Sequence, residues 1–154
     1  MYLLDKPLGI PKPESTESAR LPMQVLIATT NPGKQREFLY LAPDRWEVIF
    51  PNAIGCTEKP QEEGATFAEN AILKGRFYRR FYAGYIVAED SGLVVPALGG
   101  RPGIYSARYA PTEAECRRKV LQELTGVPWE KREAYFVSAV VFLYPDGREI
   151  YAGG

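Results

Sequence analysis

Tyr85-Ile-Val-Ala-Glu-Asp-Ser-Gly-Leu-Val-Val-Pro-Ala-Leu-Gly-Gly-Arg-Pro-Gly-Ile-Tyr-Ser-Ala-Arg-Tyr109 decides how this chain is read. An apolar run, Tyr85 to Ala88, leads straight into two adjacent acids, Glu89 and Asp90. Such a run reads as a buried strand. Carboxylates there are costly to bury unless they are paired or bound to a cation. Ser91 and Gly92 predict a turn directly after the acids, and Gly99, Gly100, Pro102 and Gly103 predict another. Two readings stand: a divalent-metal site at the end of a central strand, or an acidic loop between two strands.

The rest of the chain sets bounds on that choice. At 154 residues it suits one domain with a substantial core. Its 19 basic and 19 acidic residues cancel. A balanced charge argues against binding a nucleic-acid polymer, though not against a single nucleotide. No apolar run reaches membrane-spanning length. Histidine is absent, so a general base must be Asp, Glu, Lys, Tyr, Cys or a metal-bound water. Cys56 and Cys116 lack a zinc-ligand spacing; two free buried thiols are the simpler reading, with a disulfide left open.

Residues 1–22 carry Pro7, Pro11, Pro13 and Pro22 among polar residues and read as an extended or disordered N-terminal arm. Residues 23–154 read as a single domain. Gln24 to Thr30 reads as a strand. Asn31-Pro-Gly-Lys34 follows, with Asn31 as N-cap and Pro32 at the first position of a helix reaching Ala42. A helix N-terminus after a strand suits phosphate, and Lys34, Thr29 and Thr30 add donors; a capped helix with no ligand is the competing reading. Trp46 to Phe50 alternates as a second strand. Thr66-Phe-Ala-Glu69 is a capping box opening a helix to about Tyr82, with Gly84 closing it.

On that helix Asn70 and Lys74 share one face, and Glu62 stands just ahead of it. One wall would then hold an acid, an amide and an ammonium, although a lone lysine is more commonly solvated. Arg76, Arg79 and Arg80 read as partners of the helix dipole. A second capping box, Thr112 to Glu115, opens a helix whose Cys116, Val120, Leu121 and Leu124 read as core, with Gly126 ending it. Ala134 to Tyr144, a turn at Pro145-Asp-Gly147, and Arg148 to Ala152 read as a closing hairpin. The class is α/β with a mixed, twisted sheet and flanking helices.

Three stretches together resemble one family. They are Ala28-Thr-Thr-Asn-Pro-Gly-Lys-Gln-Arg-Glu-Phe38, Glu62-Glu-Gly-Ala-Thr-Phe-Ala-Glu-Asn-Ala-Ile-Leu-Lys74, and Ala88 to Leu93 followed by Ala97 to Tyr109. Their order resembles the inosine triphosphate pyrophosphatase (HAM1-like) enzymes. The resemblance implies a two-lobed mixed sheet around a cleft. It implies Mg²⁺-dependent hydrolysis of non-standard purine nucleoside triphosphates such as ITP, dITP and XTP to monophosphate and pyrophosphate. It also implies a cytoplasmic homodimer.

By motif match, Thr29, Thr30, Asn31, Gly33 and Lys34 would hold the triphosphate, and Lys74 and Ser91 would contact substrate. Glu62 and Asp90 would serve the metal, with Glu89 auxiliary, and Asp90 would be the general base. Oxygen ligands suit Mg²⁺, and lysines offset phosphate charge. Glu89 stands where many bacterial relatives have Asp.

The resemblance also has a gap. The family pattern continues past such a hairpin into a Phe-Gly-Tyr-Asp block and a late Lys and Ser-His-Arg that help hold base and sugar, and this chain has none of them. It therefore reads as truncated at its C-terminal end. The competing reading is a catalytically impaired nucleotide-binding fragment or interaction module lacking the base-recognition segment.

Overall fold

The computed structural model describes residues 21–154; the arm expected at residues 1–22 lies outside them except for Leu21 and Pro22. Five strands form one sheet: β1 (Met23–Ile27), β2 (Trp46–Ile49), β3 (Tyr85–Val94), β4 (Tyr135–Leu143) and β5 (Glu149–Gly153). Three α-helices accompany them: α1 (Pro32–Leu41), α2 (Phe67–Arg79) and α3 (Glu113–Glu123). The order across the sheet is β2-β1-β3-β4-β5. β1 runs parallel to both β2 and β3, whereas β3–β4 and β4–β5 are antiparallel. The sheet is mixed, as the alternating first half and closing hairpin predict.

Strand alternation divides the core in two. Leu26, Ala28, Ile86, Ala88, Val141 and Leu143 face α2 and pack on its Ala71 and Tyr78. Val25, Ile27 and Val87 face the other side, where Phe38 of α1 joins them. α1 itself has no buried residue. A third, smaller cluster of Val95, Leu98 and Leu124 sits beyond the end of β3, under α3. Both cysteines are free.

Several expectations need correction. Ser91 and Gly92 do not turn the chain. β4 pairs with β3 continuously from Ile86 to Val94, and this long ladder keeps both residues in the strand. Glu89 and Asp90 therefore lie mid-strand. Gly92 is demanded by close approach, since a Cβ there would strike the Gly103 carbonyl and the Ser106 hydroxyl.

Nor does Gly84 cap α2, which ends at Arg80. Arg79 instead donates to the carbonyls of Tyr82, Gly84 and Tyr144, at 3.1, 2.7 and 3.1 Å. It thus ties the helix end to the β4–β5 turn rather than merely answering the helix dipole. Arg76 makes a bidentate pair with Glu149 of β5 at 3.1 and 3.0 Å. Of the stripe expected as core on α3, only Leu124, the residue capping the helix end, is buried; Cys116 and Val120 are half-buried, and Leu121 is 64% exposed because it falls outside the 116/120/124 line.

α2 lies close to the sheet because Gly75 has no side chain. A Cβ at Gly75 would come within 2.7 Å of Leu143 Cδ1 and 3.3 Å of Val141 Cγ1. Gly75→Ala gains about 1 kcal/mol of helix propensity but overpacks this contact, at a typical cost of about 1–3 kcal/mol. The expected outcome is net destabilisation in urea unfolding; a variant more stable than the parent would show that the helix rides freely on the sheet.

Candidate active site

The cleft opens where β1 leaves the sheet. β1 pairs with β3 only as far as Ile27–Val87, after which the Ala28 N–H reaches the Val87 carbonyl and the chain turns into α1. The Asn31 N–H donates to Thr29 Oγ1, and Asn31 Oδ1 accepts from the N–H groups of Gly33 and Lys34 at 2.8 and 3.2 Å. This is the predicted cap, with a consequence for any anion: both early helix amides are already satisfied by Asn31. Gly33 does not line the cleft, whereas Thr29, Thr30, Asn31 and Lys34 do.

β3 supplies the facing wall. Adjacent residues on a strand point to opposite faces, so Glu89 and Asp90 part company. Asp90 enters the cleft and is 6% exposed. Glu89 turns to the α1 side, where it pairs with Lys34 Nζ at 2.6 Å and accepts from Ser138 Oγ at 3.2 Å. The three acids expected to serve one metal are therefore not one cluster. Among the described residues, no three His, Cys, Asp or Glu side chains gather as a metal-holding group.

From the opposite face, α2 delivers Asn70 and Lys74, one turn apart. Both are buried, so Lys74 is not the solvated lysine that base rates favour. Lys74 Nζ pairs with Glu62 at 2.8 Å and donates to the Glu89 carbonyl at 2.9 Å. Asn70 Nδ2 donates to Asp90 Oδ2 at 3.1 Å. Lys34, Lys74, Glu62, Asp90 and Ser91 line one cavity of about 610 Å³.

Burial pushes the Asp90 carboxyl above its ordinary value. The Lys74 ammonium and the Asn70 hydrogen bond pull it back, Glu62 pushes it further up, and Lys34 pulls it down. The direction is that of a buried acid whose compensation is incomplete.

The motif reading missed part of the lining. Lys59, Ser106, Arg108 and Glu113 also face the cavity. Ser106 and Arg108 lie inside the third quoted motif, so a signal was present. Lys59 and Glu113 carry none beyond charge. Arg108 spans the cleft mouth by donating to the Glu62 carbonyl at 3.1 Å.

Fold and cleft together define a mixed α/β protein with paired lysines and carboxylates at the end of its parallel strands. The chain belongs to the Ham1 family, whose family model matches residues 25–154. It is 46% identical over 126 residues to a dITP/XTP pyrophosphatase of Mannheimia succiniciproducens, covering 78% of this chain and 63% of that one. It is 44% identical over 135 residues to a Thermus thermophilus protein of the same name, covering 85% and 65%.

Among solved structures it resembles the Staphylococcus aureus Ham1 protein, with a TM-score of 0.73 and 36% identity over 85% of this chain and 68% of that one. A Coxiella burnetii HAM1 protein gives 0.74 and 30%, over 86% and 70%. The chain thus spans somewhat less than two thirds of the length of these two curated relatives.

The Asp90 environment gives a signed prediction. A carboxyl whose folded pKa is raised loses stability as pH climbs from its unfolded value through its folded one. Asp90→Asn removes that loss. The variant should melt higher than the parent at neutral pH, with the gap closing as pH falls below the unfolded carboxylate range. Melting curves across pH check it; an Asp90→Asn protein that melts lower at neutral pH would contradict the burial argument.

Proposed function

We propose that this chain carries the catalytic half of a Mg²⁺-dependent pyrophosphatase acting on non-standard purine nucleoside triphosphates such as ITP, dITP and XTP. The observation that carries the reading is that two lysines and two carboxylates from four separate segments share one cavity. The names of the relatives supply the substrate class. We also propose a cytoplasmic homodimer. Among the described residues no helix is long and apolar enough to cross a membrane.

The donor set fits magnesium. Glu62 and Asp90 offer only oxygen, no histidine or thiol competes, and Mg²⁺ keeps several waters when few carboxylates hold it. Glu62 raises the Asp90 pKa, a like-charge conflict that a divalent cation between them would relieve. When bound, Mg²⁺ would neutralise phosphate charge and acidify a water.

This chain's own residues do the rest. Lys74 and Lys34 leave Glu62 and Glu89 for phosphate oxygens, which frees both carboxylates. Thr29, Thr30 and Asn31 shape the phosphate end, with Gly33 behind them holding Asn31 in place, and Ser91 touches substrate. Asp90, whose carboxylate burial makes more basic, takes the proton of the attacking water. Water bonds to the α-phosphorus, the bond to the α–β bridging oxygen breaks, and monophosphate and pyrophosphate separate.

Pyrophosphate release from ITP or XTP with Mg²⁺ tests this. Asp90→Asn should lower turnover by roughly 10²–10⁴-fold, the usual worth of a general base. No turnover above that variant would end the hydrolytic reading. The ion pairs that hold Lys34 on Glu89 and Lys74 on Glu62 favour one alternative: a protein that binds nucleotide without turning it over. Calorimetric binding of ITP with no pyrophosphate released would support it.

The partner exchange makes a second prediction. The Lys74–Glu62 pair must open for both metal and phosphate, so each ligand prepares the site for the other. A non-hydrolysable triphosphate analogue should bind roughly 5–150-fold more tightly with Mg²⁺ than without, the usual range of coupling between sites. Lys74→Met should shrink that ratio.

A further inference from the structure

Asn70 is fully buried, yet neither the motif roles nor the mechanism above uses it. It makes two hydrogen bonds with different partners. Its Oδ1 accepts from the Gly64 N–H at 2.8 Å, and its Nδ2 donates to Asp90 Oδ2 at 3.1 Å. The amide orientation is fixed by chemistry: a backbone N–H can only donate, so the oxygen must face Gly64 and the NH₂ must face Asp90. Gly64 lies two residues after Glu62. One side chain therefore joins the loop that carries Glu62 to the carboxylate it must work beside.

The loop is shaped to meet it. A Cβ at Gly64 would lie 2.7 Å from Asn70 Oδ1 and 2.8 Å from Glu69 Cβ. The same helix face carries Lys74 one turn later, and its ammonium pairs with Glu62. Glu62 is thus held three ways: by its charge to Lys74, by Arg108 on its carbonyl, and through its loop to Asn70. The Lys74 contact must open when phosphate arrives, whereas the Asn70 contact need not.

We propose that Asn70 is a positioning residue that fixes the spacing of Glu62 and Asp90 while Lys74 changes partners. This rests on the reading of the cleft given above. Without Asn70, the Gly64 N–H loses its acceptor and the Asp90 carboxylate loses its buried donor. The two acids then no longer hold one separation, and a cation between them is bound less well.

The test uses Mn²⁺ alone as probe, followed by electron paramagnetic resonance on the whole chain, together with amide exchange at Gly64. Asn70→Ala should weaken Mn²⁺ binding by about 10- to 100-fold, the usual effect of removing a residue that orients metal ligands. Gly64 exchange should accelerate about tenfold or more. At saturating Mg²⁺, kcat should fall while KM for ITP moves little, since phosphate binding by Lys34 and Lys74 is untouched.

Gly64→Ala attacks the same link from the other side and serves if Asn70→Ala does not fold; the double variant should be no worse than the worse single one. A purely structural residue would lower the melting temperature yet leave Mn²⁺ affinity of the folded variant unchanged, and that result overturns the proposal. If the parent binds no Mn²⁺, the metal reading of the cleft fails on its own. Gly64 exchange then decides for Asn70, and an unchanged rate in Asn70→Ala rejects the link.

Discussion

A strand cannot point two neighbouring side chains the same way, and the cleft is built around that constraint at Glu89 and Asp90. Asp90 goes to the α2 side with Asn70; Glu89 goes to the α1 side with Lys34. The Glu89 backbone carbonyl, left without a β1 partner once that strand turns away, accepts from Lys74. One dipeptide therefore gathers side chains from helices on both faces of the sheet. Shifting β3 by one residue against β4 would exchange the two acids and dismantle both arrangements at once.

The same constraint explains what the sequence could and could not disclose. The α/β class, the mixed sheet, the Asn31 cap and the two Thr caps follow from local patterns, because caps and alternation are properties of neighbouring residues. The turn expected at Ser91-Gly92 failed because the fate of those residues is set by β4, more than forty positions later in the chain. Gly92 looked like a turn glycine; its smallness serves close approach by the Gly103–Ser106 segment. Glu149, the partner of Arg76, and the Tyr144 carbonyl, one of three that Arg79 meets, lie on the last hairpin, a tertiary fact with no local signature.

For the cleft, motif spacing named most of the lining. It did not reveal pairing. Lys34 with Glu89 and Lys74 with Glu62 are contacts between segments far apart in sequence. That pairing matters to the proposed chemistry: partly buried lysines and acids in contact offset one another's charge, so none of these four is left beside the cleft without a counter-ion. Burial still leaves Asp90 short of full compensation. An incompletely satisfied acid in a cavity is a candidate for chemistry rather than for stability alone.

α1 is the element with least to hold it. It buries no residue, and Leu39, Tyr40 and Leu41 are all more than half exposed. Its attachment comes down to Phe38, the Gln35 amide on the Thr29 carbonyl, and the Lys34–Glu89 ion pair. Such an element detaches from a folded domain at lower free energy than the strands beside it. One wall of the cleft is therefore hinged on a helix that can lift away while the sheet stays intact, and raising the salt concentration, which weakens its ionic tether, makes that lifting easier.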